Sequence, residues 1–131
     1  MSTTTSLERF APIVVDDPAD SRLDDIRNLN KSDSRPDLPG GKGLVIAEGT
    51  LIVPRLVRSR FPLRAVFGTR QKLASLADGL TASEAAIAET VPWFELDREV
   101  LAAAAGFDLH RGLLATADRA PELSVDQVLS G

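Results

Sequence analysis

The sequence predicts one α/β domain whose sheet is mostly parallel. Short apolar runs at 44–47, 63–67, 91–96 and 112–116 have the length and composition of buried strands. Segments with helical apolar spacing separate them. Glycine, proline and capping residues stand at the junctions. Strands that alternate with helices have their faces covered by those helices, as in an α/β sandwich. At 131 residues the chain is long enough for one domain with a self-sufficient core.

Taken in order, residues 1–17 read as a disordered tail, rich in Ser and Thr and ending in Asp16-Asp17. The spacing then predicts a helix over 18–31. Leu23 and Ile26, with Leu29 less well placed, form its apolar stripe; Arg22, Arg27 and Asn28 lie off it. Asp16, Asp17 and Asp20 suit a first helical turn better than a metal ion, because no calcium-loop spacing follows. Residues 32–42 form a loop with two prolines and two glycines. Gly40-Gly-Lys-Gly43 precedes its strand and lacks the Ser/Thr that follows the lysine of a phosphate-binding P-loop.

Residues 44–47 predict a strand buried on both faces, closed by Glu48 and Gly49. The next helix starts near Leu51, so that Pro54 falls in its first turn, where no intrahelical N–H is needed. Leu56 and Val57 then face the core, and Arg55 and Arg58 point away. After the strand at 63–67, Thr69 caps a helix over 70–78, and Thr81-Ala-Ser-Glu84 is a capping box for another. The strand at 91–96 carries Trp93 and Phe94. Asp97 caps a helix over 98–105, Gly106 ends it, and 112–116 is the last strand. Residues 119–131 read as a polar linker.

Composition removes several chemistries. The absence of cysteine excludes disulfides, thiolate zinc sites and cysteine nucleophiles. A single histidine excludes a histidine cluster. No apolar run reaches membrane-spanning length, and the first residues lack a secretory signal, so the expectation is a cytoplasmic protein without a membrane partner. The net charge of −4 argues against nucleic acid, but its distribution argues for it. No acid lies between Glu48 and Asp78, whereas Arg55, Arg58, Arg60, Arg64, Arg70 and Lys72 do. A local basic field in an acidic chain suits docking of a polyanion; the plainer reading is a solvated helix face and loop.

Strand followed by sharp turn and helix at 44–58 is the opening of a βαβ unit. Ligands in open α/β sheets bind outside the carboxyl ends of strands, which points to Glu48-Gly49. Glu48 is expected to cap the following helix or to hold an arginine. His110-Arg-Gly112 stands before the last strand. His110 invites a general-base reading, but local hydrogen bonding within its turn is the commoner role; Arg111 suits a phosphate, because its planar fork matches that geometry. Trp93 and Phe94 are read first as core and second as stacking platforms for bases.

Three of these stretches also carry a resemblance. Arg27-Asn-Leu29, the strand ending Ile46-Ala-Glu-Gly49, and Gly106-Phe-Asp-Leu-His-Arg-Gly112 resemble, in order and spacing, the N-terminal substrate-binding domain of SpoU/TrmH-type RNA ribose methyltransferases. The resemblance covers residues 18–118. It implies a three-layer α/β/α sandwich like that of ribosomal proteins that bind kink-turn RNA. It implies a partner, structured rRNA or tRNA and not DNA, presented to a methyltransferase active site. It marks Arg27, Asn28 and Arg111 as RNA-contacting, with Glu48, Gly49, His110 and Gly112 as structural motif residues. The basic stretch adds Arg55, Arg58 and Lys72, and these three with Arg27 and Arg111 are expected to form one RNA-facing surface, because Arg55 and Arg58 are three apart on one helix face. In such enzymes S-adenosylmethionine and the catalytic residues belong to a C-terminal knotted domain. This chain has no Asn-x-x-Asn-x-Gly segment, so it is expected to hold no cofactor and to be inactive alone. A monomer is expected because family dimers form largely through the knotted domain and this chain shows no long amphipathic seam. Residues 119–131 would lead to the missing domain. The alternatives are a stand-alone RNA-binding protein of kink-turn-binding type, or a degenerate remnant.

Overall fold

A computed structural model describes residues 6–27, 44–106 and 111–118. The described strands are β1 (Ile13–Val14), β2 (Leu44–Glu48), β3 (Leu63–Gly68), β4 (Trp93–Glu95) and β5 (Leu113–Asp118). They form one sheet in the order β1-β4-β3-β5-β2. β1 pairs with β4, and β4 with β3, in parallel. β5 lies between β3 and β2 and is antiparallel to both. β2 therefore runs the same way as β3, and β5 alone opposes the other four. The sheet is mixed where a mostly parallel one was expected. Strand direction is set by the connections, which apolar patterning within a strand does not encode.

The helices are α1 (Val53–Val57), α2 (Arg70–Gly79), α3 (Ala82–Ala88) and α4 (Arg98–Ala105), with 3₁₀ helices at Ser6–Phe10 and Ser21–Ile26. Side chains alternate along a strand, so each central strand supplies both faces. On one face Val66, Trp93, Leu113 and Ala115 pack with Leu7 and Phe10, with α1 and with the inward residues of α2 and α3. On the other, Ala65, Phe67, Phe94 and Leu114 pack with Leu23, Ile26 and the Leu101, Ala104 and Ala105 stripe of α4.

Local signals worked where capping chemistry was present. The Thr69 hydroxyl accepts from the Lys72 backbone N–H at the start of α2. At α3 both halves of the Thr81–Glu84 capping box are made. Pro54 lies in the first turn of α1, as its missing N–H requires, with Leu56 and Val57 buried. The cap is Ile52 rather than Leu51, and it makes no side-chain cap bond. Trp93 and Phe94 both belong to the core. Trp93 stacks on Phe10 with centroids 4.0 Å apart and donates its indole N–H to the Ala88 carbonyl at 3.0 Å.

Three expectations need correction. Residues 6–17 are not a disordered tail: Leu7, Phe10 and Val15 are buried, and β1 adds a strand at the sheet edge. Their apolar residues, split between two short elements, do not repeat long enough to show a period. Of the helix expected over 18–31, the described part, 18–27, holds a 3₁₀ helix over Ser21–Ile26, because Asp20 caps it and Arg27 turns extended after it. β2 is an edge strand with Val45 and Ile46 half-buried, not a strand buried on both faces. Asn28, the 32–42 loop with Gly40-Gly-Lys-Gly43, His110 and residues 119–131 lie outside the described residues.

Candidate functional site

The carboxyl ends of β2, β3 and β4 share one sheet edge, and β5 starts there. The register fixes this: Glu48 is opposite Leu114, and Gly68 is opposite both Leu113 and Glu95. Because β5 is inserted between β2 and β3, its first residues are clamped from both sides. Gly49 donates its N–H to the Leu113 carbonyl at 3.0 Å, and Thr69 donates to the Gly112 carbonyl at 3.1 Å. Gly112 has φ +63°, which turns the chain into β5 and brings its Cα against Thr69 and the Lys72 stem. Arg111, one residue earlier, is thereby laid over Gly49.

Gly49 has φ +95°, and a Cβ built there would be 2.8 Å from Arg111 Cδ and 3.3 Å from Nη1. The arginine occupies the space that a side chain at position 49 would take. Between these groups opens a cleft of about 300 Å³ lined by Gly49, Thr50, Leu51, Lys72 and Arg111. Neither Lys72 nor Arg111 makes an ion pair with a described residue. Two cations unpaired among the described residues, beside glycine backbone, suit an anion, and the arginine fork suits a phosphate.

The other predicted residues fall elsewhere. Arg55 is exposed on α1 without a described partner. Arg58, the C-cap of α1, pairs with Glu84 Oε2 at 3.0 Å. The Glu84 carboxylate is held below its usual range, first by the Thr81 backbone N–H and then against the opposing effect of burial. Arg27 is on the opposite sheet face from α1. It donates to the Pro18 and Asp20 carbonyls at 2.6 and 2.8 Å and to Asp24 at 3.1 Å, closing the 3₁₀ turn. The five cations expected on one surface are thus divided: Lys72 and Arg111 converge, Arg58 and Arg27 hold local structure, and Arg55 stands alone. Glu48 ends β2 half-buried; among the described residues it neither caps α1 nor holds an arginine.

The sequence reading missed Leu51 as a cleft residue; it is 77% exposed. The signal was present. Leu51-Ile52-Val53 is an apolar run at a helix start, and three consecutive residues cannot all face inward on a helix. Only Val53 is buried. Among the described residues no cluster of His, Asp or Glu is placed to hold a metal ion, and no helix is long and apolar enough to cross a membrane.

No protein-family model matches the chain, and no solved structure matches it. Curated relatives do. An uncharacterized tRNA/rRNA methyltransferase of Mycobacterium tuberculosis is 51% identical over 115 residues, 88% of this chain and 38% of the relative. A protein of the same description from Mycobacterium bovis shows the same identity and coverage. The resemblance to RNA methyltransferases is therefore shown over most of this chain, which spans 38% of the length of those relatives.

Proposed function

We propose that this chain is the N-terminal RNA-substrate-binding domain of a SpoU/TrmH-type ribose methyltransferase. The observation that carries the proposal is the convergence of Lys72 and Arg111, unpaired among the described residues, on one open cleft at the carboxyl edge of the sheet. That cleft lies in a chain 51% identical over 115 residues to part of a protein described as a tRNA/rRNA methyltransferase. In this reading the helices on both sheet faces make the three-layer α/β/α arrangement of such domains. Residues 119–131 lead toward a knotted domain that holds S-adenosylmethionine, and this chain positions rRNA or tRNA for it. Phosphates bind Lys72 and Arg111 by charge-assisted hydrogen bonds and counterion release. Arg55 adds an outer contact on α1, while Arg27 and Arg58 shape the fold.

Fluorescence anisotropy with rRNA and tRNA fragments, over a range of salt, tests this. The parent chain should bind with a steep salt dependence. Lys72→Gln with Arg111→Gln should weaken binding across RNA sequences alike and flatten the log–log salt slope by about two units. Thermal stability should change little, because neither cation holds a described partner. Unchanged affinity in the double variant would remove the cleft from the interface.

A further inference from the structure

The geometry points to a salt-sensitive clasp centred on Arg64. It holds the end of β5, where residues 119–131 leave the domain, against the 3₁₀ helix Ser21–Ile26. It lies at the opposite sheet edge from the cleft and does not depend on the RNA-binding reading. The register shows how it is built. Leu63 is opposite Ala117 and Ala65 is opposite Thr116, so β3 advances two residues where β5 advances one. Arg64 is the extra residue of a β-bulge. In a regular strand residues 63 and 65 share a face. Here Leu63 packs on the face that holds Val66 and Trp93, whereas Ala65 joins Phe67 and Leu23 on the other. Without the bulge, position 64 would be in phase with Val66 and would face α1. With it, Arg64 is aimed at the face that carries the 3₁₀ helix.

There the guanidinium meets two carboxylates. Nε and Nη2 donate to the two oxygens of Asp25 at 2.8 and 3.2 Å, and Nη1 donates to Asp118 Oδ1 at 2.8 Å. A planar fork can serve both acids at once, which an ammonium cannot do with the same geometry. Asp25 Oδ2 also accepts from the hydroxyl of Thr116, a buried residue of β5, at 3.3 Å. One arginine and one carboxylate thus join β3, β5 and the 3₁₀ helix. Asp118 donates its backbone N–H to the Pro62 carbonyl at 2.8 Å, so the clasp stands beside the backbone bond that ends β5. Its two arms differ. The Asp25 side chain is 18% exposed and that of Asp118 is 52% exposed. Salt screens the Asp118 arm first, while the sheltered Asp25 arm keeps Arg64 in place to close again. Opening therefore frees the end of β5 and leaves the rest of the sheet paired.

Backbone hydrogen exchange in the 131-residue chain tests this. The Asp118 amide reports on the end of β5. The Leu114 amide, opposite Phe67 in the same strand, is the internal reference. Arg64→Met should speed exchange at Asp118 about threefold and leave Leu114 unchanged. Salt at about 1 M, which screens charges beyond about 3 Å, should do the same to the parent and nothing further to the variant. Asp25→Asn distinguishes a clasp from two independent ion pairs. It leaves Arg64 and Asp118 in place, yet should still speed exchange at Asp118, because Asp25 holds Arg64 toward that residue. It also carries the test on its own should Arg64→Met fail to fold. Exchange at Asp118 that ignores Asp25→Asn overturns the clasp and leaves two separate surface pairs. Exchange at Leu114 that rises by the same factor as at Asp118 overturns it as well, since the ion pairs would then stabilise the fold as a whole.

Discussion

At the scale of single residues, the cleft depends on a glycine that leaves room for an arginine. Gly49→Ala would impose a side chain at φ +95° and place its Cβ 2.8 Å from Arg111 Cδ. The strained backbone should cost about 1–3 kcal/mol in thermal or denaturant unfolding. Arg111 must also swing away, so RNA affinity should fall further than the loss of stability explains. Gly79→Ala is the matched control. It lies in α2 with no atom within 4 Å of the added methyl. It should stabilise by about 0.5 kcal/mol through the unfolded chain and leave binding unchanged. If both variants unfold and bind like the parent, the contact between positions 49 and 111 has no role. Glycines 49 and 112 were visible in the sequence as motif positions. Their shared purpose was not, because it arises only when β5 is seated between β2 and β3.

At the scale of elements, legibility followed the range of the signal. Thr69 and the Thr81–Glu84 box were readable because a cap involves residues three apart. The reading of Arg58 as a phosphate contact failed to anticipate Glu84, which is 26 residues away and reached only because α1 lies against α3. The N-terminal segment is the largest miss. Five residues of 3₁₀ helix and a two-residue strand carry no period, yet Phe10 stacks on Trp93 and Leu7 is buried beneath α2. Phe10→Ala should therefore cost about 3 kcal/mol, as truncation of a buried aromatic does. Trp93 fluorescence should shift to the red in the folded variant as its stacked ring is lost. A disordered tail would predict no change in either measurement.

At the scale of the molecule, the alternation of strands and helices was enough for the α/β class, but not for the reversed β5 or for which cations share an edge. Charge shows the same division. The acidic whole carries a local cationic cleft, and among the described residues Asp25, Glu84, Glu89, Glu95 and Asp118 pair with arginines of other elements. Asp20 is lowered from 3.8 to about 2, first by the Arg22 side chain and then by its backbone N–H. Glu84 and Glu89 are lowered from 4.5, the first by the Thr81 backbone N–H and the second by the Arg9 side chain. Each depressed carboxyl binds its proton less readily folded than unfolded. Its contribution is therefore present above the unfolded value and is lost as pH falls toward the folded one. Stability should be level above about pH 5 and should fall as pH drops from 4.5 toward 2. The partners of Asp20 and Glu89 are exposed, and solvent screens such pairs. Glu84 is buried at the start of α3, so it should dominate the three. Glu84→Gln keeps an acceptor for the Thr81 N–H but does not titrate. Its melting temperature should fall less between pH 5 and pH 3 than that of the parent, whereas Asp20→Asn should follow the parent closely. Parallel curves for Glu84→Gln and the parent would mean that other carboxylates set the acid limit of this fold.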